Sequence, residues 1–440
     1  MPARRYLLAS AVAAASLCTQ AFPAIAATDS GPVVSRGITI PGFYNPPAEL
    51  PAADGALIRS EPLPLALSLP GVDGPLPGRA TRLMYKSTDS ADRPVAVTGA
   101  YIEPTARWNG GGPRPLVVVA PGTLGQGDQC AASMGLEHPV SFNGRTMSVG
   151  YEDLAIYRLL AKGAAVVVTD YAGLGATDRL HTYVNRVDEA HAVLDAARAA
   201  RDVEGASVTS ASRVALYGYS QGGGATAAAA ELQPGYAPDV PLVGTYAGAP
   251  PADLTEVTRA IDGSELAGAL GWSLNGFLQS DPELKPLADA HLNAAGRTAL
   301  ADLSTMCVGD ALFSYGFTKS SSWTTDGQTV SDIIRSTPAF QAFLDSQHIG
   351  TIRPATPVRV ATGISDNLVP HAQARQLAVD WCRKGADVTY KAVALPGLGS
   401  ALLNHAGPLL ADQGSAISWL TDRLTGRPAA SNCATMPVQP

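Results

Sequence analysis

Short runs of continuously apolar, β-branched residues alternate with helical segments through most of the chain. Strands without polar alternation are buried on both faces, as they are in a parallel sheet covered by helices. The predicted strands of this kind span residues 116–120, 165–169, 214–217, 242–247, 358–362 and 388–395. The predicted helices between or after them span residues 151–162, 185–201, 221–233, 371–384 and 408–424. The pattern therefore predicts an α/β protein built on a mostly parallel sheet.

Two further strands precede this series. Residues 81–87 and 95–103 are strand-like, and the polar stretch 88–93 between them is typical of a hairpin. They bring the predicted sheet to eight strands. Residues 28–80 are rich in proline and glycine and show no clear periodicity, so we expect an extended arm that lies over the core.

The alternation is interrupted once, between residues 249 and 356. This interval has helical and loop character without a strong strand, and it is too long for a connection inside a compact sheet. We therefore expect an inserted helical cap, or lid, that divides the core into residues 81–248 and 357–440. Within the cap, residues 266–278 are mostly apolar. Such a segment is either the buried core of the cap, which is the simpler interpretation, or the wall of an acyl-chain pocket.

The first 27 residues have the three parts of a secretory signal peptide. Arg4 and Arg5 precede an apolar run that ends near Cys18, and residues 24–26 (Ala-Ile-Ala) offer a cleavage site between small residues. The apolar run is too short to cross a bilayer, and no other stretch has the ~18 unbroken apolar residues that a membrane span needs. The sequence predicts an exported, extracellular protein without a transmembrane segment.

Composition excludes several classes of function. The net charge is −7 and no basic run occurs, so nucleic acid is not an expected partner. The histidines form no H-E-x-x-H motif and no tight pair, and no C-x-x-C motif occurs, so we expect no metal site and no redox cofactor. Charged residues make up 16% of the chain against a usual ~25%, which indicates a large buried core or an apolar surface.

Four cysteines remain once the predicted signal peptide is removed: Cys130, Cys307, Cys382 and Cys433. An even number of cysteines in an exported chain indicates two disulfides. The count alone leaves their pairing open.

The most informative motif is Gly218-x-Ser220-x-Gly222, between a predicted strand and a predicted helix. This is the context of a nucleophile elbow, in which the serine lies on a sharp, strained turn and the glycines let strand and helix approach closely. An ordinary glycine-rich turn could match the pentapeptide alone, but the strand–turn–helix context favours the elbow, and no second G-x-S-x-G occurs in the chain. The motif predicts the α/β-hydrolase fold, with Ser220 as the nucleophile.

A serine hydroxyl needs a histidine to take its proton and an acid to hold that histidine, and in this fold both follow the serine, acid first. Asp366 follows a predicted strand, at the strand end where active sites of open α/β sheets lie. Only His371 and His405 come after it. His371 begins a predicted helix, where we expect an exposed position, whereas His405 is predicted in the loop before the final helix. The sequence therefore predicts a triad of Ser220, Asp366 and His405.

Two backbone N–H groups are expected to stabilise the negative oxygen that develops during acyl transfer. One belongs to Gln221, directly after the nucleophile, and the other to the loop at residues 120–128, where Thr123 is the candidate. The loop is glycine-rich, but it lacks the G-x-G-x-x-G and Gly-Lys-Ser/Thr patterns of phosphate-binding loops. The candidate substrate contacts are Tyr219, beside the nucleophile, and Trp272, Leu274 and Phe277 of the apolar cap segment.

Several spaced motifs together resemble the secretory lipase family, to which the fungal lipase A enzymes belong. They are residues 218–222 (Gly-Tyr-Ser-Gln-Gly), 170–175 (Asp-Tyr-Ala-Gly-Leu-Gly), 366–370 (Asp-Asn-Leu-Val-Pro) and 380–385 (Asp-Trp-Cys-Arg-Lys-Gly), with the late Cys433. The similarity spans nearly all of the mature chain. The fungal enzymes have an acidic residue near the loop where this chain has Thr123.

This resemblance implies a lipase or esterase that acts on acyl esters without a cofactor, with a helical lid over the site. It also implies disulfides between Cys130 and Cys307 and between Cys382 and Cys433. We accordingly expect a secreted serine hydrolase that cleaves carboxylic esters, acylglycerols among them, through an acyl-enzyme at a lipid–water interface. The alternatives are a peptidase, amidase or acyltransferase on the same fold, or a binding protein without catalysis. The presence of all three triad residue types favours an enzyme.

Overall fold

A nine-stranded sheet forms the centre of the computed structural model, which describes residues 32–438. Its strands are β1 (Leu57–Leu63), β2 (Gly78–Thr88), β3 (Pro94–Pro104), β4 (Leu116–Ala120), β5 (Ala165–Ala172), β6 (Val214–Tyr219), β7 (Leu242–Gly248), β8 (Val358–Gly363) and β9 (Val388–Val393). Their order across the sheet is β9-β8-β7-β6-β4-β5-β3-β2-β1. The pairs from β9 to β5 are parallel, and the pairs from β5 to β1 are antiparallel. The predicted signal peptide, residues 1–27, lies outside the described residues.

The α/β architecture with a mostly parallel sheet is confirmed, but the sheet has nine strands rather than the predicted eight. The additional strand, β1, lies in the segment that the sequence predicts to be an extended arm. It is an edge strand that pairs only with β2, and most of its residues are half-buried or exposed. Edge strands tolerate proline and need no strict apolar alternation, and β1 contains Pro62, so its pattern was too weak to predict.

Helices cover both faces of the sheet because the parallel strands are apolar on both sides. All five residues of β4 are buried, and so are all eight residues of β5. The helices that pack on the two faces are α1 (Ala132–Glu137), α2 (Asp153–Ala161), α3 (Arg186–Ala199), α4 (Gln221–Tyr236), α12 (His371–Arg383) and α13 (Ala401–Leu424). Helices α3, α4 and α12 contribute to one apolar cluster, and α2 and α13 contribute to the cluster on the opposite face.

The interval between β7 and β8 is helical, as predicted, and none of its residues belongs to a strand of the sheet. Its helices are α5 (Leu254–Ile261), α6 (Ala269–Ser280), α7 (Lys285–His291), α8 (Ala294–Leu303), α9 (Val308–Tyr315), α10 (Val330–Ser336) and α11 (Pro338–Ser346). They contribute to two apolar clusters, which include Trp272 and Leu303 in one and Phe277 and Phe340 in the other. We call residues 249–356 the cap.

Helix α13 begins at Ala401, seven residues earlier than the sequence predicts, so His405 lies inside this helix and not in the loop before it. The side chain of Ser400 accepts a hydrogen bond from the N–H of Leu403 and so acts as the N-cap residue of α13. Pro408, which the sequence predicts as the first helical residue, lies within the helix. Proline is favoured in the first turn of a helix, so its position inside α13 is not one that the residue type indicates.

Shorter elements complete the described residues. Two small hairpins pair Val34–Ser35 with Ile38–Thr39 and Val140–Phe142 with Met147–Val149. The 3-10 helices are Gly42–Tyr44, Asp128–Cys130, Ala200–Asp202, Pro282–Leu284, Ser320–Trp323 and Cys433–Val438. Between residues 32 and 438, no helix is both long enough and apolar enough to cross a membrane.

Candidate active site

Ser220 lies on a strained turn between β6 and α4. Its φ is 58° and its ψ is −125°, a conformation that non-glycine residues rarely adopt. The turn needs glycines on both sides, because a Cβ atom on Gly218 would collide with the carbonyl oxygen of Gly222, and one on Gly222 would collide with that of Ala120. The sequence G-x-S-x-G thus lets the chain reverse sharply and present the serine hydroxyl at the carboxyl edge of the sheet.

Three side chains form a hydrogen-bonded chain at this edge. Nε2 of His405 lies 2.8 Å from Oγ of Ser220, and Nδ1 of His405 lies 2.7 Å from Oδ2 of Asp366. Ser220 follows β6 and Asp366 follows β8, and parallel strands bring their carboxyl ends to the same edge. The structure therefore brings together the three residues that the sequence predicts as a triad.

Asp366 is buried and is held in place by the backbone. Its second carboxylate oxygen, Oδ1, accepts hydrogen bonds from the N–H groups of Leu368 at 3.1 Å and Val369 at 3.0 Å. One carboxylate oxygen therefore accepts hydrogen bonds from the backbone of its own loop, and the other accepts one from His405. Because a carboxylate oxygen can only accept, Nδ1 of His405 donates to Asp366 and the neutral ring accepts from Ser220 at Nε2.

His371, the other histidine after Asp366, contacts a different residue. It begins α12, and its Nε2 lies 3.2 Å from the hydroxyl of Tyr390 on β9. Tyr219 also has a supporting position: its hydroxyl donates to the backbone carbonyl of His405 at 2.7 Å, and the two rings lie 5.3 Å apart. Tyr219 therefore contacts the histidine and does not line the apolar cavity beside Ser220.

The loop after β4 packs against the elbow and is fixed by several hydrogen bonds. The hydroxyl of Tyr171 donates to the carbonyl of Pro121 at 2.7 Å, and that of Tyr151 donates to the carbonyl of Thr123 at 3.0 Å. The side chain of Thr123 shares a 2.7 Å hydrogen bond with the hydroxyl of Tyr183. None of these contacts uses the N–H of Thr123. Gln221 is the first residue of α4, and N–H groups in the first turn of a helix have no partner within the helix.

Glu152 lies behind this loop, and sequence analysis did not single it out. Its Oε1 accepts the N–H of Gly122 at 2.8 Å, so this N–H is committed to the carboxyl group. Burial raises the pKa of Glu152 to about 7, against the lowering effect of the hydrogen bond from Gly122. No pattern in the sequence connects Glu152 with the loop, because the contact depends on how α2 packs against the sheet.

A narrow cavity beside Ser220, of about 30 Å³, lies between the sheet and the cap. Tyr183 and Val184 line it from the segment before α3, and the cap contributes Leu254, Val257, Ile261, Leu266, Ala269 and Phe277. The cavity has room for only a few water molecules.

Of the predicted substrate contacts on the cap, only Phe277 lines this cavity. Trp272 is fully buried in the cap core, where its indole N–H donates to the carbonyl of Leu303 at 2.9 Å. Leu274 lines a separate apolar cavity together with Phe340. Leu274 and Phe277 are three residues apart on α6, a spacing that places both near one face of the helix, so their different cavities result from the packing of the cap around them.

Both disulfides that the family resemblance implies are present. Cys130 is bonded to Cys307, and Cys382 is bonded to Cys433. The first bond joins the 3-10 helix after the loop at residues 120–128 to the start of α9 in the cap. Within residues 32–438, no group of three or more histidine, cysteine or acidic side chains could hold a metal ion.

Comparison with known proteins gives a consistent result. The family model described as secretory lipase matches residues 136–432. A protein of Mycobacterium tuberculosis named as a probable inactive lipase is 30% identical over 389 residues, which cover 88% of this chain and 82% of that protein. A secreted triacylglycerol lipase of Malassezia globosa is 27% identical over 363 residues, which cover 80% of this chain and 75% of that protein.

Solved structures confirm the predicted α/β-hydrolase fold. Candida antarctica lipase A in its closed state is similar with a TM-score of 0.74 at 20% identity, over 89% of this chain and 87% of that chain. The rice cell wall degrading esterase of Xanthomonas oryzae is similar with a TM-score of 0.67 at 19% identity, over 84% of this chain and 97% of that chain. At such low identities, the likeness to these structures shows the fold alone.

Proposed function

Since this chain belongs to the secretory lipase family, a family of carboxylic ester hydrolases, we propose that it cleaves lipid esters, acylglycerols among them, through a covalent acyl-enzyme on Ser220. The observation that carries this proposal is the hydrogen-bonded chain from Asp366 through His405 to Ser220. A serine hydroxyl is a weak nucleophile until a neighbouring base can take its proton. Here the base is within 2.8 Å of the hydroxyl.

In the first half of the reaction, Oγ of Ser220 attacks the ester carbonyl while Nε2 of His405 takes the serine proton. The carbonyl oxygen becomes an anion, which the N–H groups of Gln221 and Thr123 stabilise. The C–O bond to the leaving alcohol then breaks, and His405 returns the proton to the departing oxygen. Asp366 keeps the ring of His405 in the required orientation and stabilises its positive charge.

In the second half, His405 takes a proton from water, and the resulting hydroxide attacks the acyl-enzyme. The bond between the acyl carbon and Ser220 breaks, the serine recovers its proton from His405, and a free carboxylic acid leaves. The acyl chain of the substrate occupies the apolar space between Ser220 and the cap, whose wall includes Phe277 and Leu266. Apolar walls support a fatty acyl group over a charged or strongly polar one.

Export is part of the same proposal. Two disulfides are typical of proteins that mature in an oxidising compartment. The Malassezia globosa relative is named a secreted lipase. With the predicted signal peptide, these observations support an enzyme that acts outside the cell on lipid at a lipid–water interface.

A second candidate is a protein that keeps the fold without catalysis, since one relative is named a probable inactive lipase. The purified mature chain should be assayed on a series of p-nitrophenyl esters, on emulsified triacylglycerol and on aminoacyl anilides, beside its Ser220→Ala variant. Ester hydrolysis that the variant lacks supports the proposal. Absence of hydrolysis in the wild-type protein supports the non-catalytic candidate, and turnover of the anilides alone supports a peptidase.

A further inference from the structure

Glu189 is a buried carboxyl group behind the elbow that the mechanism above does not use. It lies in the first turn of α3, and one of its oxygens, Oε1, accepts two hydrogen bonds from different parts of the chain. The side-chain amide of Gln221 donates at 2.7 Å, and the backbone N–H of Val184 donates at 2.9 Å. A single oxygen therefore joins the residue that follows Ser220 to the segment before α3.

Both donors, Gln221 and Val184, line the cavity beside Ser220. Gln221 follows the nucleophile, and its backbone N–H is one of the two that face the developing oxyanion in the proposed reaction. Val184 lines the cavity beside Ser220. Its φ of 56° is unfavourable for a β-branched residue, so this backbone position needs contacts that hold it. The bond to Glu189 is such a contact.

The amide of Gln221 is held from a second side by His181. Nδ1 of His181 lies 3.0 Å from the carbonyl oxygen of Ala172, which can only accept, so the ring donates there. Burial lowers the pKa of His181 to about 4, so the ring is neutral and its Nε2 accepts from the amide of Gln221 at 3.1 Å. Both amide hydrogens of Gln221 are therefore used, one by His181 and one by Glu189.

We propose, on the basis of the proposed function, that Glu189 is a positioning residue that fixes the oxyanion-binding residue Gln221 and the cavity wall at Val184 through one shared carboxyl oxygen. A positioning group in this place must not carry a negative charge at working pH, because such a charge would oppose the anion that forms on the ester carbonyl. The protonated form of Glu189 meets this requirement, since its carbonyl oxygen still accepts both hydrogen bonds.

The surroundings of Glu189 favour the protonated form. Burial raises the pKa of Glu189 to about 8, against the lowering effect of the bonds from Gln221 and Val184. The titratable groups around Glu189 are the adjacent Asp188, His181, Tyr171 and Tyr183. Arg179 is further away and interacts with Asp188 and His181. Burial also raises the pKa values of both tyrosines, which stay neutral, and the carboxyl of Asp188 adds a further unfavourable interaction with an ionised Glu189.

Two variants separate this role from a general packing role. Glu189→Gln keeps a carbonyl oxygen that can accept both hydrogen bonds and cannot ionise, whereas Glu189→Leu removes the acceptor. Asp195→Asn is the matched control: Asp195 is a buried carboxyl on the same helix that accepts from Ser87 and Tyr236, on a part of α3 away from Gln221. The measurements are kcat and KM on p-nitrophenyl butyrate between about pH 5 and pH 10, labelling of Ser220 by a fluorophosphonate, and Tm.

Glu189→Leu should lower kcat about tenfold. Complete loss of an oxyanion donor lowers kcat by about 10²–10³-fold, and a displaced donor should cause a smaller loss. Glu189→Gln should keep the wild-type kcat at pH 7. The wild-type kcat should fall above about pH 8 as Glu189 ionises. Glu189→Gln should not show this fall, and Asp195→Asn should retain it.

A wild-type kcat in Glu189→Leu, or the same alkaline fall in the wild type and in Glu189→Gln, overturns the inference. A wild-type profile that stays flat above pH 8 also overturns it. If Glu189→Leu does not fold, the pH profiles of wild type and Glu189→Gln decide the question. The Ser220→Ala variant distinguishes the two proposals, because its loss of activity supports the proposed function whatever the Glu189 variants show.

Discussion

The side-chain oxygen of Ser220 lies 2.8 Å from Nε2 of His405, although the cap covers the site. The reacting groups are therefore aligned before any substrate arrives. The space beside Ser220 is small, since the cavity between the sheet and the cap measures only about 30 Å³. Substrate access and acyl-chain selection should depend on the cap, and bond cleavage should depend on the residues at the carboxyl edge of the sheet.

The first prediction concerns the nucleophile. Ser220→Ala should lower kcat for ester hydrolysis by about 10⁶, the loss that removal of a serine nucleophile typically causes. Labelling by a fluorophosphonate should disappear with it, while Tm should stay close to the wild-type value because the side chain becomes only slightly smaller. Retained labelling together with full activity would show that another residue is the nucleophile.

The second prediction distinguishes the two histidines that follow Asp366. His405→Ala should reduce kcat nearly as much as Ser220→Ala, since the triad acts as a unit. His371→Ala should leave kcat close to wild type, because the His371 ring contacts Tyr390 rather than Ser220. Steady-state kinetics on p-nitrophenyl butyrate measures both, and the reverse result would exclude His405 as the base.

The sequence predicted the architecture and the three hydrogen-bonded residues for physical reasons that can be named. Continuously apolar strands can only be buried on both faces, and parallel strands carry their functional loops at one edge. The order serine, acid, histidine then left Asp366 and a choice of two histidines. The disulfide pairing came from the family resemblance, because the count of four cysteines allows more than one pairing.

The sequence could not predict features that depend on tertiary contacts. Glu152 reaches Gly122, and Glu189 reaches both Gln221 and Val184, only because α2 and α3 pack against the sheet. Strand β1 carries too weak a pattern to be recognised without its partner. Leu274 and Phe277 are alike in composition and lie three residues apart on one helix, and only the packing of the cap places them in different cavities.

The third prediction concerns the disulfide between Cys130 and Cys307. The two segments that it joins also exchange backbone hydrogen bonds, from Gln126 to Met306 at 2.9 Å and from Val308 to Leu124 at 2.7 Å. The bond therefore ties the loop that carries Thr123 to the cap. Replacing both cysteines with serine should lower Tm and also kcat, because the loop is then held to the cap by non-covalent contacts alone.

The control for this prediction is the second disulfide. The two bonds close spans of 177 and 51 residues, and the chain-entropy model assigns them about 5 and about 4 kcal/mol. Replacing Cys382 and Cys433 should therefore lower Tm by a comparable amount while kcat stays close to wild type. Equal effects of the two replacements on kcat would contradict a specific role for the first bond.

The fourth prediction is a pH dependence of stability. The pKa of Glu152 is raised by burial from an ordinary 4.5 to about 7 in the folded protein. The folded state therefore binds this proton more tightly than the unfolded state, and the resulting stability is present below pH 4.5 and is lost as the pH rises to about 7. The contribution is at most about 3 kcal/mol. The Tm of the wild type should fall between about pH 5 and pH 8.

Glu152→Gln should reduce this fall in Tm, because the carboxamide cannot ionise and its oxygen can still accept the N–H of Gly122. Glu256, which is partly exposed on α5, provides the control variant Glu256→Gln. Thermal unfolding followed by circular dichroism at several pH values measures the effect. Identical pH profiles for the wild type and Glu152→Gln would contradict the buried-carboxyl explanation.

The last prediction concerns acyl-chain length. Phe277 lines the cavity beside Ser220, whereas Leu274, three residues earlier on the same helix, lines a separate cavity in the cap. Each methylene group buried against an apolar wall contributes about 0.8 kcal/mol, so kcat/KM in the wild type should rise with chain length until the accessible apolar space is filled. Phe277→Ser should lower kcat/KM for p-nitrophenyl octanoate by about tenfold, equivalent to two buried methylene groups, and should change the value for the acetate ester little.

Leu274→Ser, the matched control, should affect both esters alike, because any effect would come from loosening the cap. Equal losses on both esters in Phe277→Ser would show that this ring only holds the cap together, and a wild-type preference for acetate would identify a short-chain esterase.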